Sequence, residues 1–404
     1  MGKPKIRFKG FDNDWEQRKV GTLIEDYTEK TVTQNQYPVL TSSQQQGIVL
    51  QEDYFADRQV TTDNNVGYYV LPKGYFTYRS RSDTDVFVFN RNNIVDKGII
   101  SYYYPVFAPK SCDSNFLLRR LNHGIKKQLS MAAEGTGQKV LAHAKFKNMV
   151  VDVPSQSEQE KIGTILEELD TLITLHQRKY EKLVNIKKSM LDKMFPQNGA
   201  SVPEIRFKGF TDPWEQRKLT NLCEKFTDGD WIEAKDQSDS GVRLVQTGNV
   251  GVTEYLDKPN NKKWISFETF EQLHCEEVYP GDILISRLPE PAGRACIMPN
   301  LGTKMITAVD CTIVRPNAVT STQFLLQYLS SQAYFDAVNT CLAGGTRQRI
   351  SRGNLAQFNV PIPSSKIEQE KIGEVLEKLD TLITLHQREH IKPILEVKRV
   401  KRNE

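Results

Sequence analysis

Cysteine is scarce in this sequence and is not arranged for metal binding. The 404 residues contain six cysteines, with no C-x-x-C pair and no histidine at the spacing of a zinc site. Long apolar runs are also missing, since no stretch approaches the roughly 18 consecutive apolar residues that a membrane span requires. The charged N-terminus MGKPKIRFKGF lacks the apolar core of a signal peptide. We therefore expect a cytoplasmic protein with free thiols, no metal site and no membrane partner.

A strong excess of one charge is absent, and so are the common catalytic motifs. Lysine and arginine total 54 against 50 acidic residues, a formal charge of +4, so any contact with DNA must be a local patch. There is no N/D-P-P-Y/F, no GxxxxGK[ST], no H-E-x-x-H and no glycine-rich cofactor fingerprint. Glu233 and Lys235 form an E-x-K as in some nucleases, but no properly spaced P-D partner accompanies it. We expect no catalytic residues and no enzymatic activity.

An internal repeat is present instead. Between the repeated blocks the two copies diverge almost completely, keeping only echoes such as FLLRRL against FLLQYL. A frame that is kept while its content changes predicts two different heads on one scaffold. The repeated blocks are IRFKGF at 6–11 and 205–210, WEQRK at 15–19 and 214–218, EQEKIG at 158–163 and 368–373, and LDTLITLHQR at 169–178 and 379–388.

Residues 156–195 contain no internal proline before Pro196 and carry a heptad seam. We expect this helix to pair antiparallel with its copy in an intramolecular coiled coil of pseudo-twofold symmetry. At 1.5 Å per residue it would span roughly 60 Å. The second copy departs from the pattern after Arg388, and Pro393 on the seam predicts a kink or an end near Lys392. The seam positions are Ile162, Leu166, Leu169, Ile173, His176, Tyr180, Leu183, Lys187 and Met190, then Ile372, Leu376, Leu379, Ile383 and His386.

The diverged segments, about 20–153 and 219–363, alternate short β-branched or aromatic runs with Gly, Pro and Asn. With helical spacing in the FLL blocks, each segment is predicted to be an α+β domain. Both end alike, in EGTGQK (134–139) and GGTRQR (344–349), before the long helix. A G-T-x-Q-basic turn brings backbone N–H groups and a cation together, an arrangement that suits phosphate.

Taken together, these blocks resemble the specificity subunit of type I restriction-modification enzymes, over essentially the whole chain. The resemblance implies an α+β fold with two target-recognition domains joined by two long antiparallel coiled-coil helices. It divides the chain into a first conserved segment and recognition domain (1–155), a first long helix (156–199), a second conserved segment and recognition domain (200–364), and a second helix and tail (365–404).

The resemblance also implies function and partners. Each variable domain would read one half of a bipartite, asymmetric site on double-stranded DNA, while the helices set the spacer and dock methyltransferase subunits. Restriction subunits with motor and nuclease activity would complete the complex. We expect no cofactor in this chain; S-adenosylmethionine, ATP and Mg would belong to the partner subunits. The rival interpretation is a coiled-coil scaffold whose heads bind proteins and no nucleic acid.

Arginines, glutamines and lysines in the variable domains are the predicted DNA contacts, because arginine bonds guanine bidentately, glutamine bonds adenine and lysine holds phosphate. Trp15 and Trp214 recur in register and are interpreted as packing residues, and His176 and His386 as core histidines of the seam. The predicted contacts are Arg79, Arg81, Lys110, Gln138 and Lys139 in the first domain and Arg287, Arg294, Arg347, Gln348, Arg349 and Arg352 in the second.

Overall fold

The computed structural model describes residue 4 and residues 6–55, 64–197, 199–345 and 348–400, with side chains up to residue 387. The chain forms two compact units, residues 1–173 and 174–404. Among the helices of the described residues, none combines the length and the apolar character needed to cross a membrane.

The first unit is a mixture of short strands and helices that ends on the first half of a long helix. Its helices are α1 (Gln51–Tyr54), α2 (Ser114–Gly124), α3 (Lys126–Ala132), α4 (His143–Lys147) and α5 (Gln156–Met194), the last continuing into the second unit. Its strands are β1 (Glu16–Lys19), β2 (Ile24–Tyr27), β3 (Leu40–Ser43), β4 (Gly47–Leu50), β5 (Tyr69–Pro72), β6 (Phe76–Tyr78), β7 (Arg81–Ser82), β8 (Phe89–Arg91), β9 (Lys97–Ile100), β10 (Val106–Pro109), β11 (Lys139–Val140) and β12 (Val150–Val153).

A four-stranded antiparallel sheet, in the order β2-β10-β6-β8, forms the centre of this unit. Phe76, Tyr78, Phe89 and Phe107 are almost fully buried and make edge or tilted ring contacts with one another. Aromatic residues of this size remove a large apolar area from water, so this cluster anchors the core. The strand pairs β3-β4, β5-β9 and β7-β11 extend from it.

Asp26 ties strand β2 to helix α4 at the edge of the core. Its carboxylate accepts hydrogen bonds from Lys147 Nζ at 2.7 Å and from His143 Nε2 at 2.9 Å. Burial raises the pKa of Asp26, but these hydrogen bonds outweigh it and hold the pKa below its ordinary value. The ionised carboxylate therefore stabilises the folded unit.

The repeated blocks of the first copy meet at the base of the head. Strand β1, from the WEQRK block, pairs antiparallel with β12. The chain therefore enters and leaves the first recognition domain, here called the first head, at the same place. Arg7 of IRFKGF donates from Nε and Nη2 to the two oxygens of Glu158 at 2.7 and 2.8 Å, and the Glu158 side chain is fully buried. A bidentate pair of this kind fixes both position and orientation. It explains why IRFKGF and EQEKIG occur together.

The second unit is built from its own set of elements. Its helices are the second part of α5, then α6 (Phe267–Gln272), α7 (Thr322–Tyr328), α8 (Gln332–Thr340), α9 (Arg352–Gln357) and α10 (Lys366–Val400). Its strands are β13 (Glu215–Lys218), β14 (Cys223–Asp228), β15 (Gln237–Ser238), β16 (Val242–Val245), β17 (Lys263–Ile265), β18 (Ile283–Ser286), β19 (Ala295–Ile297), β20 (Met305–Thr307), β21 (Cys311–Pro316) and β22 (Asn359–Ile362).

Its central sheet has the same antiparallel plan as that of the first unit, in the order β14-β21-β18-β19. In each unit the sheet is followed by a helix that contains the FLL echo, α2 or α7. A second sheet, β15-β17-β16-β20, has no four-stranded counterpart among the described residues of the first unit. The two heads therefore share a central plan and differ in what is added to it, which confirms the predicted α+β class.

The frame of the second copy repeats the contacts of the first. Strand β13 pairs antiparallel with β22, and Arg206 donates to both oxygens of Glu368 at 2.7 and 2.9 Å. Trp214 is buried against Phe195 and Phe324, at centroid distances of 6.0 and 5.7 Å. In the first unit, Trp15 likewise packs on the core. The interpretation of both tryptophans as packing residues is confirmed.

Helices α5 and α10 run antiparallel within the second unit. His176 Nδ1 lies 3.3 Å from His386 Nδ1, and further along α5 Lys187 forms an ion pair with Asp380, which is earlier in α10. Leu376 is completely buried in the core that this part of the helix pair shares. The predicted antiparallel coiled coil is therefore present here, with the two histidines on its seam.

One prediction about the second helix was wrong in part. Helix α10 does not end near Lys392 but continues past Pro393 to Val400. Proline costs one backbone hydrogen bond, but its fixed φ is close to the helical value, so a long helix continues through it.

Candidate nucleic-acid interface

In the first head, the G-T-x-Q turn lies beside the arginines that follow β6. Strand β11 pairs with β7, which places Lys139 opposite Ser82 and Val140 opposite Arg81. Gly135 has φ +123°, and a Cβ there would lie 2.2 Å from the carbonyl oxygen of Gln138. Only glycine fits such a turn. The fold therefore brings Arg79 and Arg81 close to Gln138 and Lys139, which are far from them in sequence.

Three of these residues, Arg79, Arg81 and Gln138, border a cleft of about 880 Å³ in the first head. Most of its polar lining consists of amide and hydroxyl side chains, which both donate and accept hydrogen bonds, as the edges of bases require. Members of that lining are Gln44, Gln51, Asn90, Arg79, Arg81 and Gln138.

Tyrosines supply the aromatic part of the same cleft. The Arg81 guanidinium lies 4.2 Å from the ring centroid of Tyr103, and the Tyr102 ring lies 4.2 Å from that of Tyr103. The Tyr102 hydroxyl donates to Tyr103 at 3.0 Å, which raises the pKa of Tyr102. The Tyr102 residue is 56% exposed. Exposed aromatic faces next to a guanidinium provide stacking surface for bases or sugars.

Sequence reasoning missed these tyrosines and a carboxylate beside them, Asp83. The run YYYP at 102–105 directly before β10 was a usable signal, because three adjacent tyrosines exceed what one buried strand face takes up. Lys110 is a predicted DNA contact, but it lies at the other end of β10, where its backbone N–H donates to the carbonyl of Leu23. The fold does not bring Lys110 to the cleft.

The second head places its own G-T-x-Q turn beside strand β18. Ala343 and Arg349 exchange backbone hydrogen bonds of 3.0 and 2.9 Å, and the N–H of Ile350 donates to the carbonyl of Arg287. The turn is thereby fixed to the loop that follows β18. Arg347 lies outside the described residues, and Gln348 next to it is exposed.

Three predicted arginines meet two aspartates at this place. Arg349 Nη1 lies 3.6 Å from Asp310, and Arg352 Nε lies 3.7 Å from Asp228. Arg287 lies 3.5 Å from Asp228 and 4.0 Å from Asp310. The side chains of Arg349 and Arg352 are 61% and 46% exposed, whereas that of Arg287 is 9% exposed. Arg349 and Arg352 can therefore reach a ligand, while Arg287 holds the aspartates together.

Arg294 has an internal role. Its guanidinium donates four hydrogen bonds of 2.7–2.9 Å to backbone carbonyls, those of Thr247, Val250, Leu288 and Pro291. Burial lowers the pKa of Arg294. A guanidinium has five N–H donors, so little of this one is left for a base. Arg294 joins the loop after β18 to the segment after β16.

Metal ligands are not gathered at either interface. In residues 6–55, 64–197, 199–345 and the described remainder, no group of three His, Cys, Asp or Glu side chains is placed to hold a metal ion.

Comparison with known proteins gives a consistent assignment. Residues 13–185 and 211–395 match the family described as "Type I restriction modification DNA specificity domain". The type I restriction enzyme MjaVIII specificity subunit of Methanocaldococcus jannaschii is 23% identical over 276 residues, 65% of this chain and 62% of the relative. The putative MjaX specificity subunit of the same organism is 24% identical over 291 residues, 68% of this chain and 63% of the relative. Each match thus spans less than two thirds of the relative's length.

Among solved structures, the S subunit of a type I restriction-modification system from M. genitalium has a TM-score of 0.55 at 13% identity, covering 98% of this chain and 97% of that one. At this identity the similarity shows a shared fold. The family match covers most of both copies of the repeat, from the WEQRK blocks through both G-T-x-Q turns and most of both long helices. The chain therefore belongs to the type I restriction-modification DNA specificity family.

Proposed function

We propose that this chain is the DNA-reading subunit of a type I restriction-modification complex, and that each head recognises one half of a bipartite, asymmetric site. The observation that carries this proposal is the repeated turn. In both heads a G-T-x-Q turn is joined by backbone hydrogen bonds to a segment with arginine, on a frame whose contacts are the same in both copies. Heads that differ while the frame is kept imply two different half-sites.

The first head offers two kinds of contact. Arg81 and Gln138 have side chains suited to guanine and adenine edges, and the exposed Tyr102 presents an aromatic face in the same cleft. Lys139 on β11 suits a phosphate. In the second head, Gln348 corresponds to Gln138 and Arg349 to Lys139, and both follow Arg347 in the same turn.

Other predicted contacts act by positioning. The carbonyl of Arg287 accepts from the N–H of Ile350 and so holds the turn of the second head. Arg294 instead holds the backbone carbonyls of the segments after β16 and β18. Arg352, at the start of α9, adds an exposed cation beside Arg349. Base reading in this head then falls mainly to the turn itself.

In this proposal the partner subunits supply the catalytic activities. Methyltransferase subunits dock on the frame and methylate adenine with S-adenosylmethionine, and restriction subunits use ATP and Mg for translocation and cleavage. This chain contributes no catalytic residue. The antiparallel helices determine the number of unread base pairs between the half-sites.

Selection from a random duplex library tests the proposal. The full chain, co-expressed with its methyltransferase subunit, is expected to enrich a motif with two unlike halves and a fixed gap, and adenines of that motif are expected to be methylated in the host genome. Binding should weaken steeply as salt is added. If no motif is enriched and binding to duplex is insensitive to salt, the protein-binding scaffold becomes the better interpretation.

Single substitutions assign the halves. Arg81→Ala is expected to relax the motif in one half, and Arg349→Ala in the other, each at a cost of about 1–3 kcal/mol against the correct base. Arg217→Ala on β13 is a matched control, because Arg217 is similarly exposed and bonded to a glutamate within the frame. Equal effects of Arg349→Ala on all sequences would reassign Arg349 to phosphate binding.

A further inference from the structure

Each head places a carboxylate directly on the side chains that are expected to touch DNA. In the first head, Asp83 accepts a hydrogen bond from Gln138 Nε2 at 3.0 Å, and its other oxygen lies 3.9 Å from Arg79 Nη1. In the second head, Asp310 lies 3.6 Å from Arg349 Nη1. Gln138 and Arg349 are members of the two G-T-x-Q turns, in adjacent positions of the repeat.

The two aspartates do not come from the repeated blocks. Asp83 follows β7 in the first head, and Asp310 lies between β20 and β21 in the second, in segments without sequence similarity. Each head thus sets a carboxylate beside a side chain of its turn, as a hydrogen bond to Gln138 in the first and as a 3.6 Å ion pair with Arg349 in the second. Because these carboxylates come from unrelated segments, their recurrence points to a shared requirement of the site.

A carboxylate at a DNA-binding surface opposes binding in two ways. It repels phosphates, and it competes with them for the same cation or amide. Both effects act on every duplex, because phosphates are the same in all sequences. Base contacts are available only at the correct site. The carboxylate therefore weakens binding to all DNA, and at the correct site alone the base contacts offset this loss of affinity.

The pairs are also weak enough to open. The side chains of Asp83 and Arg79 are 64% and 51% exposed, and those of Arg349 and Asp310 are 61% and 29% exposed. Exposed pairs of this kind are screened by water and salt and contribute little to stability. A correctly placed base edge can therefore take over the turn side chain without unfolding the head.

We propose that Asp83 and Asp310 are specificity-determining residues that hold the side chains of the two G-T-x-Q turns in the free protein and suppress their binding to DNA phosphates. This inference rests on the proposed DNA-reading function. Its chemical content is a competition between a protein carboxylate and a DNA phosphate for one donor in each head.

Substitution by asparagine isolates the charge. Asp83→Asn and Asp310→Asn keep the size and one acceptor oxygen, so the turn remains placed while the repulsion is lost. Asp85→Asn and Asp239→Asn are matched controls with the same change in net charge. Both control residues are exposed, and Asp85 has φ +59°, a conformation that asparagine tolerates well. Unchanged thermal unfolding of all four variants confirms that they fold.

The first measurement is the affinity of the full chain, with its methyltransferase subunit, for a fluorescein-labelled duplex of random sequence. Asp83→Asn and Asp310→Asn are each expected to tighten this binding about three- to tenfold at moderate salt, and the controls less than twofold. The slope of log K against log salt should steepen by about 0.9 for each released cation that gains a phosphate, as expected for Arg349. Asp310→Glu retains the charge and should behave like the unchanged chain.

The second measurement is motif selection from the random library. Asp83→Asn is expected to relax one half of the motif and Asp310→Asn the other. Unchanged affinity for the random duplex together with an unchanged motif would overturn the inference. So would a loss of affinity for the selected duplex alone, since that result identifies an aspartate that accepts from cytosine. If the unchanged chain itself enriches no motif, the proposed function fails. If the unchanged chain enriches a motif and the variants leave both motif and affinity intact, only the present inference fails.

Discussion

Substitution of Gly373 by alanine tests the packing of the long helix against the head. Gly373 lies inside α10, and a Cβ there would lie 2.9 Å from the backbone nitrogen of Phe324 and 2.8 Å from the Cβ of Gln323. Both contacts belong to the first turn of α7, where Ser321 caps the helix through the N–H of Phe324. The backbone cannot withdraw without moving that turn. The added methyl group therefore has no space.

The sign of the effect distinguishes this site from an ordinary helical glycine. Alanine is favoured over glycine in a helix interior by about 0.8–1.0 kcal/mol. Forcing an extra methyl group into a packed site costs about 1–3 kcal/mol. We expect Gly373→Ala to lower the free energy of unfolding of the second unit by about 1 kcal/mol as the net of these two terms.

Gly353 in α9 provides the matched control. A Cβ there would meet only Ser351 Oγ at 3.8 Å, so Gly353→Ala should raise the free energy of unfolding by about 0.4–1 kcal/mol. Differential scanning calorimetry should then separate the melting temperatures of the two variants by about 3–8 °C. Stabilisation by Gly373→Ala would refute the close contact. Gly163→Ala, whose Cβ would meet the capping Asp113, should destabilise the first unit.

Three further predictions concern ion pairs and hydrogen bonds. Arg206→Ala leaves the buried Glu368 without its partner and should destabilise the second unit by about 3 kcal/mol in urea unfolding. The control Arg217→Ala, at an exposed ion pair, should cost at most about 1 kcal/mol, and equal effects of the two substitutions would contradict the bidentate pair. Because the pKa of Asp26 is lowered on folding, its stabilisation is present above the unfolded pKa and is lost as pH falls through the folded pKa. Asp26→Asn should therefore flatten the loss of stability as pH falls below about 4. Arg294→Ala orphans several carbonyls and should cost about 1–3 kcal/mol in thermal unfolding, with no rescue by lysine, which has no fork of donors.

The frame and the heads follow different physical rules, which explains how one chain keeps its scaffold while its heads change. The bidentate pairs of Arg7 with Glu158 and of Arg206 with Glu368 bury a carboxylate, so loss of one partner alone is costly. The contacts in the heads involve exposed, weakly held side chains such as those of Arg79 and Arg349. Substitutions at such exposed pairs are expected to cost little stability.

The sequence alone determined the repeated frame, the two long helices and the G-T-x-Q turns. These features are local, or are copied in the chain, so periodicity and identical blocks reveal them without any tertiary information. The histidines of the seam were placed correctly for the same reason, because a heptad position specifies the face on which His176 and His386 lie.

Only the tertiary structure decided which of the candidate residues lie together in each head. Pairing of β11 with β7 brought Gln138 to Asp83. The hydrogen bond from Ile350 to Arg287 fixed the second turn, and Lys110 was left at the far end of β10. Strand pairing between distant segments is set by packing and by register, which composition does not encode. The tertiary structure likewise turned Arg294 inward and set aspartates beside the turns. An arginine or an aspartate has the same local signature whether it bonds a carbonyl, a neighbouring side chain or a base, so these roles appear only once the chain has folded.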